Sequence, residues 1–230
     1  VYKKLGETLE EAYIREARAV RNSVGIVDVT SLGKIDVQGP DAAEFLNRIY
    51  ANAFLKIPVG KARYGVMLRE DGYMFDDGTC WRLSETQFLM TTTTANAASV
   101  LTELERLLAL VWPDLKVHVS SVTDQWAGIA IAGPKSRDVL VKIIDDIDFS
   151  EEGLPYMAVA DGHISEIPVK IARLSFSGER AYEIYAETPH GTAVWEAIIK
   201  AGVSYDIVPY GTEALGTLRI EKGHISGPEL

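Results

Sequence analysis

Gly65-Val66-Met67-Leu68-Arg69-Glu70-Asp71-Gly72-Tyr73-Met74-Phe75-Asp76-Asp77-Gly78-Thr79 reads as a strand, a tight turn and a returning strand. Val66 and Leu68 alternate with their neighbours, as on a half-buried strand. Glu70-Asp71-Gly72 is a hairpin turn signal, because glycine tolerates the positive φ that such turns require. Beyond the turn an aromatic and apolar run leads into two adjacent carboxylates. Side chains alternate across a strand, so Asp76 and Asp77 face opposite ways. One can sit in solvent while the other points into whatever the apolar run covers. A lone carboxylate in an apolar cavity has a shifted pKa and is a candidate general base. Taken alone, the doublet reads as a pair of solvated turn residues.

Upstream of the hairpin, Leu9, Ala12, Tyr13, Ala17 and Val20 recur at helical spacing. Thr8 with Glu11 three residues on forms a capping box in front of them. Residues 25–29 and 34–37 read as short strands. Gly39-Pro40-Asp41 then opens an amphipathic helix carrying Phe45, Leu46 and Ile49, since proline is tolerated where the N–H would be unpaired anyway. The device returns downstream: the strand 129–132, then Gly133-Pro134-Lys135-Ser136 and a helix with Val139, Leu140, Ile143 and Ile144. The prolines lie 134 − 40 = 94 positions apart. The same offset carries Phe88-Leu89-Met90 onto Tyr182-Glu183-Ile184, and Val100 onto Val194. An α+β fold of two similar modules related by an internal duplication follows, with residues 1–120 as the first and 121–230 as the second. A strand at 115–119, a strand–turn–strand at 169–186 and a final helix from Glu213 to Lys222 complete the outline.

Composition narrows the function classes. The 230 residues are 47% hydrophobic, enough for a globule, and carry a formal net charge of −10, which disfavours general nucleic-acid or anionic-membrane binding. No run approaches the roughly 18–20 apolar residues of a membrane span. Cys80 is the single cysteine, so no intrachain disulfide forms and a reducing cytoplasm is the expected location. His118, His163, His190 and His224 are scattered without metal-ligand spacing. Val1 and Leu230 read as cuts within a longer polypeptide.

Outside the aspartate doublet, Glu183 stands mid-strand among Tyr182, Ile184 and Tyr185 and needs a partner there. A structural salt bridge is one reading; a bidentate acceptor for the N–H pair of a flat heterocycle is another. Phe176, across the Ser177-Gly178 turn, is either a core aromatic or the wall of a pocket beside Glu183. Tyr64 sits across the first hairpin from Asp77. Arg219 and Glu221 read as a helix-surface ion pair or, for Arg219, a contact to an anionic tail.

Together the Asp-Asp hairpin, Ser177-Gly178-Glu179 with Tyr182-Glu183-Ile184-Tyr185, and the closing run from Tyr210 to Gly223 resemble the aminomethyltransferase (glycine-cleavage T-protein) superfamily. Phe75 to Thr79 and Leu89 to Ala97 are similar, within it, to the folate-binding region of heterotetrameric sarcosine oxidase alpha subunits. The resemblance implies a GcvT-like folate-binding fold, a tetrahydrofolate site, and transfer of the methyl-derived carbon of sarcosine, as its imine, to give 5,10-methylenetetrahydrofolate. It implies Asp77 as the catalytic carboxylate near folate N10, Glu183 as the pterin ligand, and Thr79, Tyr64 and Phe176 as further folate contacts. Flavin and NAD are expected only in other portions or in partner oxidase subunits, because no Gly-x-Gly-x-x-Gly follows a strand here. The closing C-terminal module of relatives is expected to be missing from this stretch, which alone should not oxidise sarcosine. Leu215 stands where glycine-cleavage enzymes carry arginine, so their lipoyl-protein partner need not be shared. An aminomethyltransferase, a dimethylglycine-type oxidase or demethylase folate domain, and a non-catalytic folate-binding or docking domain are the alternatives. Lys222-Gly223-His224-Ile225-Ser226-Gly227-Pro228-Glu229 lacks the cysteine and glutamine of the folate-dependent iron–sulfur maintenance proteins.

Overall fold

Two sheets, each with its own helices and core, account for the chain in the computed structural model, which describes residues 1–226. Gly227-Pro228-Glu229, the end of the closing motif compared above, lies outside the described residues. In chain order the elements are α1 (Leu9–Asn22), β1 (Gly25–Asp28), β2 (Gly33–Gln38), α2 (Ala42–Ile49), β3 (Lys61–Leu68), β4 (Met74–Ser84), β5 (Gln87–Thr92), α3 (Ala97–Arg106), β6 (His118–Ser121) and β7 (Trp126–Ala132). They continue with α4 (Ser136–Leu140), β8 (Val159–Ile164), β9 (Ile167–Ala172), β10 (Ala181–Glu187), α5 (Gly191–Gly202), β11 (Val208–Pro209) and α6 (Thr212–Lys222).

The α+β reading therefore holds, and the units are not consecutive stretches. One is Val1–Thr30 together with Ala127–Ile225; the other is built on Ser31–Trp126. Residues 1–30 do not stay with the rest of 1–120, for a reason visible in the pairing. β1 lies between β11 and β7 in a six-stranded sheet of order β11-β1-β7-β10-β9-β8, parallel to β11 and antiparallel to β7. Val24, Ile26, Ile131, Ile171 and Ile184 pack with Leu140 of α4 and Val194 and Ile198 of α5 on one face of that sheet. Val20 of α1 joins Ala214 and Leu218 of α6 in a second cluster with Val27 and Ala132. Burying such side chains stabilises by roughly 1.5–3 kcal/mol each. α1 starts where the capping box places it: Thr8 Oγ1 accepts from the Glu11 N–H, and the Glu11 carboxylate accepts from the Thr8 N–H. Its buried face nevertheless contains Glu16, whose oxygens accept from the Tyr2 and Gly211 N–H groups. Gly211 precedes α6, so this carboxylate also meets the positive end of that helix.

The Ser31–Trp126 unit is an antiparallel sheet of order β3-β4-β5-β2-β6. Phe45, Leu46 and Ile49 of α2 and Val100 and Leu104 of α3 pack with Ile35, Val37, Met67, Cys80, Phe88 and Met90. The two Gly-Pro turns are built alike. Gly39 and Gly133 have φ of +142° and +131°, and a Cβ on either would run into a backbone carbonyl, of Lys116 and of Ser23 respectively. At the 94-residue offset β5 falls on β10, and α3 begins where α5 begins. In both places a single 3-10 turn links strand to helix, Thr94–Asn96 in one and Thr188–His190 in the other.

Candidate functional site

The β3–β4 hairpin sets the register of the first group. Tyr64 pairs with Thr79, and Val66 with Asp77. By alternation Tyr64, Val66, Asp77 and Thr79 share one face, and Asp76, Gly78 and Cys80 the other. The second face meets the core, where Cys80 and Met67 are buried. Asp76 is the inward member of the doublet, 2% exposed. Its carboxylate accepts from the Thr93 N–H at 3.2 Å, from the Thr93 hydroxyl, and from Asn96 Nδ2 at 3.2 Å. Burial raises its pKa above the usual carboxylate value, against the lowering by those donors. Asp76 thus ties β4 to the turn that opens α3.

Asp77 is half-buried on the other face. Its Oδ2 accepts from the Tyr64 hydroxyl at 2.8 Å. Burial, and then this bond, push the Tyr64 phenol above its ordinary pKa. Thr79 lies two residues on along the same face. Its Oγ1 accepts from the Trp81 indole N–H at 3.0 Å and lies 3.1 Å from the Thr91 hydroxyl.

In the unit of β1 and β7, Glu183 is a half-buried residue of β10 opposite Ala172. The Tyr185 hydroxyl donates to its Oε2 at 3.2 Å. Tyr185 itself is fully buried, in space that Gly128 of β7 leaves open, since a Cβ there would meet its ring at 2.8 Å. Burial and then the Glu183 charge raise the pKa of Tyr185 well above its ordinary value, and likewise that of Tyr210. Phe176 sits in the loop between β9 and β10, 41% exposed, and stacks on His224 with ring centroids 5.6 Å apart. Arg21 of α1 holds this loop by donating to the Ser177 carbonyl and to Glu179, and reaches Glu221 of α6 as well. Arg219 donates to the His224 carbonyl.

The structure therefore brings Tyr64, Asp77 and Thr79 together on one hairpin face of the Ser31–Trp126 unit. Glu183 and Phe176 belong to the unit completed by residues 1–30. Sequence reasoning missed Tyr185 as the brace of Glu183, although its place two residues on along the strand was a signal. It also missed Thr93 and Asn96 as the holders of Asp76; nothing local marks a partner that far along the chain. Among the described residues no group of three or more His, Cys, Asp or Glu is placed to hold a metal ion, and no described helix is long and apolar enough to cross a membrane.

Comparison with known proteins adds three findings. A family model described as the GCVT N-terminal domain matches residues 1–229. The chain is 50% identical over 225 residues to "Sarcosine oxidase subunit alpha" of Rhizobium meliloti, covering 97% of this chain and 23% of that one. It is 36% identical over 211 residues to an aminomethyltransferase of Corynebacterium aurimucosum, covering 91% of this chain and 56% of that one. It thus spans about a quarter of the first relative's length and about half of the second's. Among solved structures, the glycine cleavage system aminomethyltransferase T of Bartonella henselae superposes with a TM-score of 0.80 at 25% identity, over 93% of this chain and 55% of that one.

Proposed function

The chain belongs to the GCVT N-terminal domain family, and from that premise we propose that it is the folate-binding, one-carbon-transfer portion of a sarcosine oxidase alpha subunit. The observation that carries the reading is the Tyr64–Asp77 pair, a half-buried carboxylate oriented by a phenol on the hairpin face where the family resemblance puts the catalytic acid. Identity of 50% over 97% of the chain supports the choice of sarcosine oxidase within the family. The donor set fits tetrahydrofolate. Asp77 and Glu183 are acceptor groups, each held by a tyrosine hydroxyl, and the pterin edge and N10 present N–H donors.

Tetrahydrofolate supplies the two nitrogens that accept the one-carbon unit. Glu183 would take the paired N–H donors of the pterin edge. Losing that acceptor leaves buried donors unpaired, at a cost of about 1–3 kcal/mol. Asp77 would take the proton of N10 as the second C–N bond forms. The imine of sarcosine gives up its carbon, and the protons that leave N5 and N10 finish on the departing glycine amine, so the reaction balances without a further reagent. Phe176, whose ring stacks on His224, would offer an aromatic face to the bicycle. Oxidation of sarcosine, with flavin and NAD, is assigned to other portions of the polypeptide or to partner subunits. The buried Cys80 suits a reducing cytoplasm.

Titrating the intact protein with tetrahydrofolate by calorimetry, alongside the rate of 5,10-methylenetetrahydrofolate formation, tests this. Asp77→Asn is expected to bind folate as the wild type does and to slow transfer by roughly 10²–10⁴, the usual contribution of a positioned acid–base group. Glu183→Ala is expected to lose binding. Wild-type affinity in the Glu183 variant would overturn the folate assignment.

A further inference from the structure

A cluster of guanidinium groups lies outside everything the one-carbon reading uses. Arg137 of α4, Arg173 just past β9 and Arg180 just before β10 converge on one carboxylate, that of Glu151 in the connection between α4 and β8. Arg173 Nη1 lies 2.7 Å from Glu151 Oε2, Arg180 Nη2 lies 2.8 Å from Oε1, and Arg137 Nη1 lies 3.8 Å from Oε1. Arg173 also donates to the Leu154 carbonyl at 3.0 Å, and Arg137 to the Phe149 carbonyl at 3.5 Å, so two of the three are held in place by backbone as well. Three positive charges meet one negative, leaving a local surplus of two on a chain whose net charge is −10. Arginine forks match the oxygens of carboxylate and phosphate geometrically.

Beside the cluster lies Tyr182, 1% exposed, its ring edge-on to Phe149 with centroids 5.5 Å apart. Its buried hydroxyl has no hydrogen-bond partner. Counting back from the Glu183–Ala172 pair puts Tyr182 across from Arg173 and two residues from Arg180, and Phe149, which packs on its ring, offers its carbonyl to Arg137. A buried donor without an acceptor is unusual enough to require a reason. An oxyanion larger than one carboxylate supplies it, because its additional oxygens can accept from a second arginine and from the phenol together. Glu151 is the most exposed member, its side chain 54% exposed where those of the three arginines are 13% to 34% exposed.

We propose that Arg137, Arg173, Arg180 and Tyr182 form a binding site for a dianionic oxyanion, a phosphate group or a dicarboxylate, and that Glu151 is its internal occupant, displaced when the external anion binds. The site is independent of the folate reading and stands or falls apart from it.

Inorganic phosphate and succinate, each titrated calorimetrically into the intact protein, test the proposal and separate the two sources of the anion. Glu151→Gln is expected to bind one of them about tenfold or more tightly than wild type, a change of about 1.4 kcal/mol. Glu152→Gln removes the same charge from the neighbouring position and is expected to behave as wild type. Adding Arg180→Gln to the Glu151 variant is expected to reverse the gain. The wild type is expected to gain thermal midpoint in millimolar anion, and Tyr182→Phe, which keeps the packing, to lose that gain; no gain in the wild type also overturns the proposal. Equal binding by the Glu151 and Glu152 variants, or an unchanged anion-dependent midpoint in the Tyr182 variant, overturns the proposal.

Discussion

Asp76 and Asp77 are adjacent in sequence and serve on opposite faces of one strand, and their chemistry diverges accordingly. An unfolded aspartate ionises near 3.8, and burial holds Asp76 protonated to higher pH in the folded chain. The sign follows: its contribution to stability is fully present below 3.8 and is lost as pH rises through the raised folded value. Asp76→Asn removes this dependence. Urea midpoints measured from pH 4 to 7 should therefore move in favour of the variant, relative to wild type, as pH rises; parallel curves would refute it. On the other face, Tyr64→Phe removes the donor to Asp77. Water can replace it at a half-buried site, so the expected loss is about 0.5–1.5 kcal/mol, read as a lower urea midpoint at unchanged slope. That the doublet splits between faces was legible from strand alternation alone. Which member points inward was not, because that depends on the side of β4 that α2 and α3 cover. Glu16 was equally hidden: its acceptor role is fulfilled by backbone N–H groups of Tyr2 and Gly211, the second far away in sequence.

At the scale of elements, the signals that were read best had a local cause. Thr8 with Glu11, the Gly-Pro turns and the αL glycine at the end of α6 (Gly223, φ +87°) each mark a boundary by their own backbone chemistry. Gly39→Ala and Gly133→Ala should each destabilise by more than about 1 kcal/mol, since the native φ is unfavourable for alanine and a carbonyl occupies the space; a thermal midpoint within error of wild type for either would contradict this. The β8–β9 hairpin went unread because its turn is Ser165-Glu166, with φ of 48° and 67° and no glycine or asparagine to announce it. Tertiary pairing overrides turn preference there. β11 has only two residues, below what periodicity can detect. α4 stops at Leu140 although Ile143 and Ile144 continue the apolar pattern; Ile144 is still buried in the core and Ile143 packs against it.

For the whole molecule, periodicity and turn signals carried the α+β class and the succession of elements, while the assignment of residues 1–30 to the later unit rests on pairings between one hundred and two hundred positions apart. Such pairings leave no local trace. A chain lacking residues 1–30 loses β1 from between β11 and β7, together with the buried Val24 and Ile26. Amide exchange should then quicken throughout β7, β9 and β10 while the ladder of β3, β4 and β5 keeps its protection, because the core of that sheet contains no residue before Ser31. Unchanged protection in β7 and β10 would contradict the interleaved division.

The position of β1 also has a consequence for the order of events on the ribosome. Gly25 pairs with Val208, which leaves the exit tunnel long after it. At about 5–20 residues per second, β1 waits on the order of ten to forty seconds for β11. During that interval the whole of Ser31–Trp126 has been synthesised and can close its own ladder. Residues 1–30 thus emerge ahead of the Ser31–Trp126 unit and find their place after it, and a chaperone that shields Val24 to Val27 has its longest window of use in that interval.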